Sequence, residues 1–276
     1  MPMNDDEVMG RIRGLIELNT GISLGPKKDL MLSHRLERRM AASGSLSLKE
    51  YYFRLVGADR GELSNLIDEI TVNETYLFRD FPQLQGFAEK VLPPYLDAKR
   101  LKRDYRLKLW SAACSTGEEP YTLSIILREM IRDYPMWEVR IDATDIDRGV
   151  LAACREGVFC DRSMKDTPVP YRIRYFSQTE DGWRVAPMLT SAITFERANL
   201  MDRGDMRLRR DYDFIFCRNV LIYFNEDSQR KVVNGFYDAL VPGGYLFLGH
   251  SESVGRLTAA FSLERIDRFL AYRKPL

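Results

Sequence analysis

At 276 residues, 45% hydrophobic and 29% charged, the chain has room for one large and one small domain and reads as an ordinary soluble globular protein. Forty-one basic against forty acidic side chains leave a net charge of +1, which predicts no nucleic-acid partner and makes any electrostatic preference local. Four cysteines without a C-x-x-C pair and only two histidines argue against a metal site, and the absence of an h-region or of any apolar run near about 18 residues points to a cytoplasmic protein with no membrane insertion.

Asn4 with Glu7 three residues on is a capping-box signal for a first helix to about Leu18, ended by Thr20-Gly21. A second helix is predicted over "KKDLMLSHRLERRMAAS", with Leu30, Met31, Leu36 and Met40 at helical spacing. Ser47 and Glu50 begin a third, and Asp59 and Glu62 a fourth through Leu63, Leu66, Ile67 and Ile70. Short helices on short links predict a small helical domain over residues 1–70. The polar and aromatic "TVNETYLFRDF" that follows has no period and reads as a linker over 71–80.

A helix from Leu84 to Leu92 is expected to end before Pro93-Pro94. Strands and helices then alternate: "RLKLW", a helix from Tyr121, "EVRIDATDID", a helix from Arg148 to Glu156, "DFIFCRN", a helix from Ser228, "GYLFLG". This predicts an α/β domain over 81–276 with a mostly parallel sheet covered on both faces. "FSLERIDRFLAYRK" closes it as an antiparallel C-terminal hairpin turning at Asp267. Between Val169 and Leu200 the alternation breaks. Asp181-Gly182 between "RYFSQ" and "WRVAP" signals a hairpin, and "AITFERAN" as a third strand completes an inserted antiparallel β subdomain over about 171–197.

Three strand ends carry candidate chemistry. "LKLWSAACSTGEEPYTL" reads as a strand, a small-residue turn and a helix, a shape that cradles nucleotides, but the G-x-G-x-x-G fingerprint is absent and Gly117 stands alone. Glu118 and Glu119 would repel a pyrophosphate and suit a ligand bearing an ammonium or sulfonium; as dipole partners of the helix start they are worth at most about 1 kcal/mol. Asp145 ends the second strand, where an acid accepts ribose hydroxyls, while Asp147 reads as the cap of the next helix. "DFIFCRNVLIYF" is a buried strand whose end aims Asn219 at the same crevice; Tyr223 is either a core aromatic or a cation–π partner for a sulfonium.

Together "TVNETYLFRD", "WSAACSTGEEPYTLSI", "ATDID", "FIFCRNVLIYF", "GGYLFLGHSESV" and the terminal hairpin resemble the CheR family, S-adenosylmethionine-dependent methyltransferases that esterify glutamates of bacterial chemoreceptors. The resemblance spans nearly the whole chain and implies a Rossmann-like class I methyltransferase sheet. It assigns Asn73, Thr75 and Arg79 of N-x-T-x-x-x-R to the cofactor, with Arg79 also near the transferred methyl. It further assigns Glu119 to the cofactor ammonium, Asp145 to the ribose, Asn199 and Leu200 to the adenine, and Asn219, Val220 and Tyr223 to the strand-end loop. Gly117 lets the turn close in, and Arg79 and Tyr223 are the catalytic candidates. The implied product is S-adenosylhomocysteine and the implied partner the cytoplasmic methylation region of chemoreceptors, met by a monomer.

Five basic and two acidic residues between Lys27 and Arg39 give a local charge of +3. Beside the active site, Arg35, Arg38 and Arg39 would dock an acidic receptor segment. The short hairpin at Asp181-Gly182 favours recognition without a tethered receptor peptide. A nicotinamide dehydrogenase would need the missing glycine fingerprint. A non-catalytic S-adenosylmethionine-binding regulator that docks on receptors would be expected to have lost a motif residue, and none is lost.

Overall fold

The computed structural model of the chain describes residues 4–25, 28–57 and 60–276. Lys27 of the basic helix and Asp59, expected to open the fourth helix, lie outside the described residues. The helical domain comprises α1 (Asp5–Thr20), α2 (Asp29–Ser43), α3 (Leu48–Val56) and α4 (Arg60–Ile70). Both halves of the predicted capping box form: Asn4 accepts from the Glu7 N–H at 2.8 Å and donates its own N–H to the Glu7 carboxylate at 3.3 Å. Gly21, at φ +75°, ends α1, and Ser47 caps α3. Val8, Ile12 and Ile16 of α1 pack on Leu32, Leu36, Tyr51, Leu55, Leu66 and Ile70, a helical-period core.

Arg39 is half-buried and paired within this domain, which leaves it less free for receptor docking than the sequence suggests. Its guanidinium donates twice to Glu62, at 3.0 and 2.8 Å, while the Tyr51 hydroxyl donates to the same carboxylate at 2.8 Å. Glu62 is buried, so its charge needs this partner. Arg39→Ala is therefore expected to destabilise the domain by about 3–5 kcal/mol in urea unfolding. Unchanged stability with lost receptor methylation would return Arg39 to docking.

The α/β domain starts with α5 (Phe81–Gly86) and α6 (Leu92–Leu101), joined by a π-helical turn over Phe87–Val91. The helix does not stop before Pro93-Pro94: the prolines occupy the first turn of α6, where their missing N–H groups cost nothing. The wider turn still closes a bond from the Leu92 N–H to the Phe87 carbonyl. Then follow β1 (Arg106–Ala112), α7 (Glu118–Met130), β2 (Glu138–Asp145), α8 (Arg148–Glu156), β3 (Val158–Phe159), α9 (Asp161–Met164), α10 (Val169–Tyr175), β4 (Phe176–Thr179), β5 (Gly182–Val185) and α11 (Pro187–Thr190). The chain ends with β6 (Ile193–Arg197), α12 (Arg203–Arg207), β7 (Tyr212–Cys217), α13 (Glu226–Ala239), β8 (Leu240–Leu248), β9 (Ser262–Ile266) and β10 (Phe269–Arg273).

Seven strands form the main sheet in the order β6-β2-β1-β7-β8-β10-β9. Pairs from β6 to β8 run parallel and the terminal hairpin antiparallel, as expected for a class I methyltransferase sheet. Phe87 meets Phe214, Phe216 and Phe247 edge-on under one face, and Trp110, Tyr212 and Phe236 pack on the other. The inserted subdomain differs from expectation. "AITFERAN" does not join it; β6 pairs parallel with β2 at the sheet edge, Ile141 opposite Ile193. Ile193 and Phe195 gain burial there against Ala143, Leu151 and Cys154. The small sheet instead runs β3-β5-β4, its third strand taken from Val158–Phe159 upstream of the predicted boundary.

Candidate active site

The carboxyl ends of β1, β2, β6 and β7 open on one cavity of about 300 Å³. It lies where strand order reverses between β1 and β7, the crevice in which open α/β sheets bind ligands. The helical domain supplies its other wall, through Thr20, Ile22, Leu24, Lys28 and Met31. A clasp holds the wall in place. The Ser23 N–H donates to the Tyr223 carbonyl at 2.7 Å, and Ile22 bridges Phe224. Asp147 caps α8 through the N–H groups of Gly149 and Val150. Its second oxygen accepts from Thr71 at 2.6 Å and Asn73 at 2.9 Å, so the expected cap residue also anchors the linker.

The β1–α7 turn is built from left-handed residues: Ala113 at φ +61°, Ser115 at +51° and Gly117 at +99°. Such strain persists only where the surroundings enforce it. Gly117 does not line the cavity; it faces α8, where a Cβ would sit 3.1 Å from the Cys154 sulfur. Turn geometry and helix packing therefore demand this glycine. Glu119 lines the cavity. It accepts from Ser111 at 2.6 Å and from Arg218 at 3.3 Å. Burial pushes its carboxyl pKa up, and Arg218 only partly offsets this. Glu118 does more than favour the helix start. At 2% exposure it accepts from Thr116 at 2.7 Å and Ser163 at 2.9 Å. Because the Ser163 carbonyl accepts the Leu77 N–H, Glu118 steadies the linker.

Asp145 is buried and takes one backbone N–H on each oxygen, from Ser115 at 2.8 Å and Asp147 at 3.0 Å. Loss of solvent raises its pKa to about 6 against the pull of those bonds. Asn73, Thr75, Arg79, Asn199, Leu200, Asn219, Val220 and Tyr223 all line the cavity, but not all are free. The Asn199 amide is engaged at both ends, donating to the Asn19 carbonyl at 2.6 Å and accepting from the Met201 N–H at 2.9 Å. Arg79 donates to the Glu74 carbonyl at 2.8 Å and lies 5.7 Å from the Tyr76 ring. Among the described residues no carboxylate is ion-paired with it, which leaves its guanidinium for a ligand. Lys28 sits 5.2 Å over the Tyr223 ring.

Of the docking candidates, Arg38 is exposed and pairs with Glu69, and Arg35 donates to the Thr71 carbonyl at 3.3 Å. Arg218 escaped assignment from sequence. Its side chain is 4% exposed and links Glu119, Asp80 and the Arg79 carbonyl, with a buried Nε left unpartnered. The available signal was a guanidinium at the end of an apolar strand, a buried charge that must find partners.

The donor set fits S-adenosylmethionine. Each oxygen of Asp145 keeps a lone pair that could accept a ribose hydroxyl, Glu119 is a cavity-lining carboxylate that could meet an ammonium, and the guanidinium of Arg79 could meet a carboxylate. Residues 8–71 match the family model described as CheR methyltransferase, all-alpha domain, and residues 73–270 that described as CheR methyltransferase, SAM binding domain. Chemotaxis protein methyltransferase 2 of Vibrio cholerae serotype O1 is 36% identical over 96% of the chain and 92% of its own length. Chemotaxis protein methyltransferase of Borreliella burgdorferi is 34% identical over 89% and 88%. Chemotaxis protein methyltransferase 1 of Pseudomonas aeruginosa is 35% identical over 95% of each. With both domains matched in order and relatives that span it nearly end to end, the chain belongs to the CheR family of S-adenosylmethionine-dependent methyltransferases.

Proposed function

We propose that the protein methylates glutamate side chains of bacterial chemoreceptors, forming carboxyl methyl esters. The observation that carries this reading is the gathering of Glu119, Asp145, Arg79 and Tyr223 around one cavity whose other wall is the helical domain, with Lys28 facing in. When bound, S-adenosylmethionine supplies an electrophilic methyl for in-line displacement by a carboxylate oxygen and leaves as S-adenosylhomocysteine. Glu119 holds the ammonium, Asp145 the ribose, Asn199 and Leu200 the adenine side, with Asn73, Thr75, Asn219 and Val220 shaping the walls.

A glutamate near pKa 4.3 is already ionised at neutral pH, so the reaction needs no general base. Neither histidine lines the cavity. Cys114 does, but its hydrogen bond with Cys154 and its burial push the thiol well above the usual range, so it stays protonated. Catalysis reduces to alignment and exclusion of water. Arg79 pairs the incoming carboxylate, and Tyr223 orients it from the opposite loop. Arg35 and Arg38 guide the acidic receptor segment toward the mouth.

Receptor incubated with tritiated cofactor tests the reaction: a methyl ester releases labelled methanol in mild alkali, whereas an N-methyl product does not. Arg79→Ala and Tyr223→Phe are each expected to lower turnover at saturating substrates by at least about tenfold, or about 1.4 kcal/mol of barrier. Wild-type turnover in both would remove them from the mechanism. Base-stable label would remove the ester.

A further inference from the structure

We infer that Glu252 is a positioning residue for the loop from Asn219 to Tyr223 and acts on turnover through Tyr223; the inference rests on the role of Tyr223 proposed above. Glu252 follows β8 and reaches across to the neighbouring strand end. Its Oε2 accepts the N–H of Asn219 at 2.8 Å and of Gly249 at 2.6 Å. Its Oε1 accepts the N–H of Val220 at 2.9 Å and of Ile222 at 3.3 Å. Three of these four donors belong to one short loop, and all three, Asn219, Val220 and Ile222, line the cavity with Tyr223. Among the described residues no cation pairs with Glu252, so backbone dipoles alone answer its charge.

The loop needs such a clamp. Asn219 is left-handed, at φ +61°, a conformation that its surroundings must enforce. From Val220 the chain makes a single 3₁₀ turn over Leu221–Tyr223, closed by the Tyr223 N–H on the Val220 carbonyl at 3.1 Å. The position of Val220 therefore sets that of Tyr223. The arm carrying Glu252 is itself fixed. Its N–H donates to the Gly249 carbonyl at 2.9 Å, Val254 is buried, and the Tyr272 hydroxyl touches both Val254 and Ser253. Gly249 makes the approach feasible: a Cβ there would lie 2.7 Å from the Glu252 carboxylate and 2.8 Å from the Asn219 nitrogen. Glu252 itself touches no reacting atom; the loop that it holds borders the cavity through Asn219, Val220, Ile222 and Tyr223.

Glu252→Gln keeps the shape, but its amide nitrogen must face two backbone donors whichever way it turns. Gly249→Ala keeps the carboxylate and displaces it by crowding. Both are expected to lower turnover at saturating cofactor and receptor at least about tenfold. S-adenosylhomocysteine affinity should fall by less than turnover does, and amide hydrogen exchange over residues 218–224 should accelerate while the helical domain keeps its protection. The decisive measurement is the double-mutant cycle: Tyr223→Phe with Glu252→Gln should cost no more than the worse single variant. Additive losses, or unchanged exchange over 218–224, would reduce Glu252 to a residue of general stability and overturn the inference. Wild-type turnover in Tyr223→Phe alone would overturn the role of Tyr223, and with it the route from Glu252, whatever the exchange shows.

Discussion

Glu119→Gln should weaken S-adenosylhomocysteine binding by about two orders of magnitude while leaving the fold intact. The carboxylate sits at 13% exposure between the Ser111 hydroxyl and Arg218. A neutral amide keeps the first contact and loses the charge that answers the ligand's ammonium. Breaking one partner of a buried ion pair costs about 3–5 kcal/mol, or at least about 150-fold in affinity. The fold should tolerate the change, because burial already disfavours the ionised carboxyl and Arg218 retains Asp80 and the Arg79 carbonyl. Isothermal titration separates site from fold. 5′-Methylthioadenosine carries the ribose and adenine but no ammonium, so its affinity should be the same in Glu119→Gln and wild type. Parallel loss of both ligands, or a melting temperature lowered by many degrees, would count against the assignment.

What could be read from the chain, and what could not, divides along a physical line. The caps, the strand ends and Asp145 follow from local rules: Asn4 with Glu7, Ser47, and an acid closing an apolar run each announce themselves within a few residues. Errors arose where a distant partner decides. "AITFERAN" has a strand pattern in either place, and only the unpaired edge of β2 draws it to the main sheet. Arg39 looks like its neighbour Arg38 in sequence, and only the fold sets it against Glu62 while leaving Arg38 on the surface. Glu252 has no clear local signature, because three of its four donors lie about thirty residues back on the adjacent strand end. Gly117 was legible as a glycine that the turn requires, but its packing against α8 was not. The N-x-T-x-x-x-R linker was legible only as a resemblance. Its Asn73, with Thr71 just before it, is tied down by Asp147, a residue its own neighbours suggested was no more than a cap.

Cofactor affinity should fall as the pH drops through 6, and Asp145 sets the window. Its carboxyl, raised to about 6 by burial, must be ionised to accept two ribose hydroxyls. Ligand binding therefore drives off a proton at pH values below that point. Linkage makes the apparent affinity about tenfold weaker at pH 5 than at pH 7. Glu119, also raised, adds to the loss in the same direction. The sign for stability is the opposite. A carboxyl whose folded pKa exceeds its ordinary value of 3.8 stabilises the free protein at acid pH, and that contribution disappears as the pH rises through 6. About two pKa units correspond to about 3 kcal/mol, an energetic penalty that the bound ribose relieves. The rise in melting temperature caused by S-adenosylhomocysteine should accordingly be larger at pH 7.5 than at pH 5. Titrations in buffers of different ionisation enthalpy should report proton release near pH 5.5. Asp145→Ala should abolish the Asp145 part of this pH dependence and weaken both S-adenosylhomocysteine and 5′-methylthioadenosine by about a hundredfold, since two charge-assisted hydrogen bonds contribute about 3 kcal/mol. This inverts the Glu119→Gln pattern, in which only the ligand with an ammonium suffers. A pH-independent affinity from 5 to 7.5 would mean that the ribose does not rest on Asp145.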